Sequence, residues 1–252
     1  MPSLALHTII AKEVADRLRH RVLEEERGNL YLGSTAPDIH VITRWERRRT
    51  HFFDLSNLDE QSGTAGLFES YPRLREPGDL SAGTAAFVAG YVTHLVVDEL
   101  WINTIYRPFF GERSPLSGDV RANIMDRALQ FSLDRQKRID GELMAHVLNE
   151  IARSDLAFEI ELVDGETLGR WKDIILDVVN HPPDWERFRY IASRHLRAAG
   201  IESPEQFQEF VRSLPDLVDE TLRYLGEKRV RRFMESSREE SEKAVKEYLG
   251  CA

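Results

Sequence analysis

One apolar segment constrains this chain more than any other. Ser81–Trp101, SAGTAAFVAGYVTHLVVDELW, has the length and hydrophobicity of a buried helix, with a histidine and an aspartate in its middle. His94 and Asp98 are four residues apart. On a helix they share one face, with roughly 5–6 Å between Cβ atoms. Phe87, Tyr91, Leu95, Val97 and their neighbours leave almost no polar surface around them. A carboxylate taken from water into such surroundings is costly unless positive charge meets it. No lysine or arginine lies between Leu80 and Tyr106. The compensating charge is therefore expected from elsewhere, and a divalent metal shared by His94 and Asp98 would supply it. The plainer reading of the same spacing is a hydrogen-bonded pair tying two helices together without metal.

The rest of the chain reads as helix. Leu4–Leu23 carries an apolar stripe through Leu6, Ile9, Ile10, Val14, Leu18 and Val22. Gly28–Trp45 reads as irregular, broken by Gly33 and Pro37, and Thr50–Gly78 as loop with a short helix near Leu67–Leu74. Leu80–Tyr106 is the apolar helix, closed by Pro108 and Gly111. Asp119–Ser154 divides into two amphipathic helices near Gly141; Glu166–Asn180, Asp184–Ala199 and Pro204–Tyr224 follow. Glu227–Leu249 is so rich in lysine, arginine and glutamate that it reads as a solvated helix with i,i+4 pairs. Leu156–Val163 is the single modest β candidate.

The class is all-α, with one domain over 1–252 the simplest organisation. Metal-type residues concentrate in 1–154 and thin out over 155–252. The 252 residues suffice for a sizeable core. A net charge of −9 argues against duplex nucleic acid as a partner. The single cysteine, Cys251, permits neither a disulfide framework nor a thiolate metal site. The N-terminal stretch lacks the pattern of a secretory signal, and no charge-free run has the look of a membrane span. A cytoplasmic protein without a transmembrane segment is expected.

Three further places keep company with His94 and Asp98. His7 lies beside Leu4 and Ile10 on the inner face of the first helix; Asp38 follows the small-residue turn GSTAP; His51 stands between an arginine run and two phenylalanines in RWERRRTHFF. Three imidazoles and two carboxylates form an N/O donor set suited to Zn²⁺, and also to Mn²⁺, Fe²⁺ or Ni²⁺. Taken singly, each has a plainer use. Asp38 could cap a helix or make an Asx-turn, His51 could sit on the surface, and His7 could be a satisfied core histidine. Arg44, Arg47, Arg48 and Arg49 read first as a solvated loop face, and otherwise as an anion-attracting rim.

In their order along the chain, His7, LGSTAPD (32–38), THFFD (50–54) and GYVTHLVVDE (90–99) resemble the zinc-dependent phospholipase C superfamily, which also holds single-strand-specific nucleases. The resemblance covers roughly the first 105 residues. It implies an all-α multi-helix bundle, here with additional C-terminal helices, and zinc-dependent hydrolysis of phosphodiesters. Asp38, His51, His94 and Asp98 match the ligands of one zinc, and His7 a ligand of a second, bridged by Asp98. The family's third zinc takes histidines just downstream, whereas Glu99 to Gly141 has none. One or two ions are expected, with Asp38 as the matching general base. Glu99 is expected to point away from the ligands.

The expectation is a metal-dependent hydrolase acting on a small-molecule or lipid-derived phosphoester. One alternative is a non-catalytic helical protein with a structural metal. The other, an HD-type phosphohydrolase, needs a His-Asp doublet, and no histidine here is followed by aspartate.

Overall fold

The computed structural model describes residues 4–55, 57, 61–155 and 160–251, and the fold is all-α, with no strand among them. The first half of the β candidate at 156–163, residues 156–159, lies outside the described residues; 161–163 form a turn and a bend. The helices are α1 (Leu4–Leu18), α2 (Arg21–Glu25), α3 (Arg27–Gly33), α4 (His40–Thr43), α5 (Arg48–His51), α6 (Gly63–Ser70) and α7 (Ala82–Trp101). After them come α8 (Arg107–Phe109), α9 (Val120–Arg138), α10 (Gly141–Arg153), α11 (Gly165–Asn180), α12 (Phe188–Ala198), α13 (Pro204–Leu225) and α14 (Glu227–Tyr248).

Starts are set by side-chain caps. Ser81 accepts from the Thr84 N–H, Asp140 from Leu143, Asp164 from Thr167, and Ser203 and Gln206 close a capping box on α13. The helix read near Leu67–Leu74 begins earlier, because Ser62 caps it, and a 3₁₀ turn at Pro72–Arg75 follows. The stretch read as irregular contains α3, which is short yet buried from Gly28 to Gly33.

The apolar helix α7 is the axis of the molecule. α3 and α14 pack along it, with α1, α2 and α6 filling in. Its helical continuation, Ala82–Phe109, is long and apolar enough to cross a membrane, but 83% of its most apolar window is buried in the protein. A π-helical turn, Ile102–Tyr106, interrupts it just beyond Asp98.

The α3–α7 crossing is close because two glycines face it. A Cβ on Gly33 would stand 2.0 Å from the Phe87 carbonyl oxygen, and one on Gly90 2.0 Å from that of Leu30. Only backbone without side chains fits there.

The solvated-helix reading of α14 needs correction. Val230, Phe233, Ser237, Ser241, Val245 and Tyr248 recur at helical spacing and are buried, and they seat α14 on α7 and α1. The stripe was hidden because two of its members are serines, small enough to admit a close neighbour but polar in any count. Residues beyond 154 thus form part of the wall around the apolar helix.

Candidate metal centre

Four elements deliver the five sequence-derived residues to one place. His7 comes from α1, Asp38 from the 3₁₀ turn Ala36–Ile39, His51 from α5, and His94 and Asp98 from α7. The close α3–α7 crossing carries the end of α3 onto His94, whose Nδ1 lies 2.8 Å from the Ser34 carbonyl oxygen. A carbonyl only accepts, so Nδ1 bears the hydrogen. His51 is fixed in the same sense. The Thr50 hydroxyl donates to the Arg47 carbonyl at 3.1 Å, leaving its oxygen to accept from His51 Nδ1 at 3.0 Å. Tyr91 pins this turn to α7 by donating to the Thr50 carbonyl at 2.5 Å. Phe52 then ends α5 with φ 54°, a left-handed conformation costly for an aromatic residue and held here by surrounding packing.

In their neutral forms both rings therefore aim an Nε2 lone pair inward, and the two Nε2 atoms are 3.3 Å apart. Asp98 Oδ2 completes a triangle, 3.2 Å from His51 Nε2 and 3.5 Å from His94 Nε2. Asp38 Oδ1 lies 3.5 Å from His51 Nε2. A tetrahedral ion with bonds of 2.0–2.1 Å separates its ligands by roughly 3.3–3.4 Å, which these edges match. His7 stacks on His94, centroids 3.7 Å apart, with Nε2 3.4 Å from Asp98 Oδ1. The donor atoms of His7, His94 and Asp98 lie within 4.8 Å of one another, as do those of Asp38, His51 and His94.

Neither ring nitrogen of His7 has a hydrogen-bond partner, nor does Asp98 Oδ1, although all are buried. Unsatisfied buried polar atoms are rare and costly. Burial, helped by neighbouring His94, pulls the His7 pKa down to about 4, so the ring is neutral near pH 7. Burial opposes charge on Asp98 as well, but His94, His51 and His7 outweigh it and hold the carboxylate well below its ordinary range. Asp38 is likewise lowered against burial, by His51 and His94. His94 moves up because Asp98 and Asp38 overcome its desolvation.

Sequence reasoning did not place Arg47 among the cluster's own groups. Read within a run taken first as a solvated face and otherwise as an anion-attracting rim, it is largely buried and donates from Nη2 to Asp98 Oδ2 at 2.7 Å. Part of the charge expected from a metal is thus supplied by the chain. Its signal was available, since Arg47 precedes His51 by four residues, the spacing that singled out His94 and Asp98. Its neighbours do lie outside, Arg48 against Glu46 and Arg49 over the Trp45 ring. His40, also not singled out, meets the His51 ring edge-on, with centroids 5.3 Å apart.

Glu99 does turn away from the cluster. It accepts backbone N–H bonds from Gly63 and Thr64 at the start of α6, and burial raises its pKa to about 7.

Exposure within the centre falls on Asp38 and Arg47. His7 and His94 have side chains 0% exposed, whereas those of Asp38 and Arg47 are 18% and 17% exposed. Compared with protein-family models, curated proteins and solved structures, the chain matches none of them.

Proposed function

We propose that this cluster binds a divalent metal of the zinc type and that the protein is a metal-dependent hydrolase of phosphoric esters. The observation that carries the reading is the pair of imidazole Nε2 atoms facing each other at 3.3 Å with both Nδ1 atoms already committed. Two facing lone pairs repel unless a cation or a proton lies between them. His7 Nε2 and Asp98 Oδ1, which face each other at 3.4 Å without forming a well-aligned hydrogen bond, and His7 Nδ1 add donors with no hydrogen-bond partner among the described residues.

His51, His94, Asp98 and Asp38 would hold the ion, with His7 on the far oxygen of Asp98. A bound ion of this kind lowers the pKa of a coordinated water to about 7 and polarises a phosphoryl oxygen. Asp38 is the carboxylate that reaches the accessible side, so it can take a proton from a water entering there. The resemblance to zinc-dependent phospholipases supports the same role. His94 and Asp98, rooted in the largely buried helix α7, keep the donor atoms in place as a substrate enters.

A closed, purely structural centre is the second reading, favoured by the seat of Arg47 on Asp98, which already neutralises one carboxylate. Elemental analysis of the purified protein, followed by a panel of phosphodiesters and phosphomonoesters, separates the two. The hydrolase reading expects about one to two zinc-type ions per chain. It also expects turnover abolished by chelator and by Asp38→Asn or His94→Ala. A metal-loaded, folded but inert protein supports the structural centre, and a folded protein free of metal sinks both.

A further inference from the structure

We propose that Arg47 is the anion-binding residue of this centre, and that what it receives is the phosphoryl oxygen of a phosphate ester. The proposal rests on the metal-centre reading above and deepens it by giving the substrate's charged group a place.

Arg47 has five N–H donors and, among the described residues, spends one of them, from Nη2 to Asp98 Oδ2. Nε and Nη1, which flank Nη2, are buried and have no hydrogen-bond partner among the described residues. A guanidinium left with buried, unanswered donors is costly, and the planar group suits a tetrahedral oxyanion. One flanking N–H together with the second hydrogen of Nη2 can grip two oxygens of the same phosphoryl group. The nearby acidic groups already face other partners. Asp98 faces His51, His94 and Arg47; Asp38 faces His51; and Glu99 is turned to the start of α6. Of the basic run, Arg48 is paired with Glu46 and Arg49 lies over Trp45, so Arg47 is the member directed at the centre.

Charge points the same way. With neutral imidazoles, two carboxylates and one guanidinium leave a single negative charge at the centre. A divalent ion turns this into a single positive charge among side chains that are 0–2% exposed, Asp38 and Arg47 apart. Buried net charge demands a counter-charge. A phosphodiester monoanion held by Arg47 brings the sum to zero. A neutral ester would leave both the positive charge and the two donors unanswered.

The test is binding of inorganic phosphate, by titration calorimetry, to zinc-loaded protein dialysed free of excess metal, with zinc content measured in every sample. The wild-type chain is expected to bind phosphate, and Arg47→Gln to bind it about tenfold or more weakly at unchanged zinc content. Arg49→Gln, which alters the same run outside the centre, is expected to bind as the wild type does. Zinc-loaded protein that ignores phosphate overturns the proposal, as does Arg47→Gln with full zinc and wild-type phosphate affinity; in the latter case Arg47 is only the counter-ion of Asp98. Should Arg47→Gln fail to fold, Arg47→Lys keeps the charge on Asp98 and loses the fork. A loss of about threefold or more then supports the proposal, and equal affinity overturns it. A folded chain that takes up no zinc overturns the metal reading itself, and the zinc measurement distinguishes that failure from the others.

Discussion

Two carboxylates are buried in this molecule to nearly the same depth, and they are treated in opposite ways. Asp126 on α9 accepts from the Trp101 indole N–H at 2.9 Å and from the Gln130 amide at 2.7 Å, while Arg127 donates to Gln130 behind it at 3.1 Å. Each oxygen has a neutral donor, so the site is complete. Asp98, 1% exposed against 2% for Asp126, faces imidazoles whose Nδ1 hydrogens are spent elsewhere, and its Oδ1 has no hydrogen bond. Asp126 is given a neutral N–H on each oxygen, whereas Asp98 is given one guanidinium N–H on Oδ2 and, from His51 and His94, ring nitrogens whose hydrogens are spent elsewhere. The difference lies in the second ring of contacts, Ser34 and Thr50, which decide what the histidines present.

The comparison breaks most decisively at His94. In metal-free protein, His94→Ala is expected to cost about 3 kcal/mol, since Asp98 loses a buried partner. It is also expected to abolish metal retention. Asp126→Asn is expected to cost about 1–2 kcal/mol and to leave metal content unchanged. Thermal melts paired with elemental analysis read both, and equal metal loss in the two variants would erase the distinction.

Acid unfolding of metal-free protein sharpens it next. His7 titrates at about 4 when folded, below the usual 6.5, so the unfolded chain takes the proton first as pH falls. Stability contributed by the neutral ring is therefore present above pH 6.5 and lost between about 6.5 and 4. The loss should be on the order of 2–3 kcal/mol, and His7→Phe should flatten it in urea melts across that range. Glu99 has the opposite sign. Its folded pKa of about 7 lies above the usual 4.5, so its contribution declines as pH rises from about 4.5 to 7. Glu99→Gln should remove that decline, on the order of 3 kcal/mol, as for His7.

Gly90→Ala probes the crossing rather than the ligands. Its new Cβ pushes on the Leu30 carbonyl and displaces Ser34 from His94. Expected are about 1–3 kcal/mol of destabilisation and about tenfold weaker metal binding, measured by competition with a chromogenic chelator. The smallest effect belongs to α14. The Ser237 and Ser241 hydroxyls are buried without partners. Ser237→Ala and Ser241→Ala should be neutral, or stabilising by up to about 1 kcal/mol, with metal content unchanged. Clear destabilisation would mean that these hydroxyls are used.

How much of this could be read in advance follows from how far each signal reaches along the chain. His94 and Asp98 were legible because both sit in one helix whose apolar neighbours give their polarity no local excuse. Asp126 was not, since its indole partner Trp101 is brought to it only by packing, 25 residues away in sequence. Arg47 carried the right spacing to His51 but was masked by three neighbouring arginines that do face outward. The face of α14 was masked by serines, whose role there is size rather than polarity.

Hydropathy and periodicity act within a few turns, so the residues alone establish a helical chain, one helix apolar on all sides, and imidazoles and carboxylates at helical spacing. Packing of whole helices sets the rest, bringing those groups from four elements to edges of 3.2–3.5 Å. It alone decided that two glycines let α3 press its last carbonyls onto α7, and that an arginine rather than open space occupies one flank. Distances between groups remote in the chain are fixed by close packing of whole helices, and no local pattern of residues carries that information.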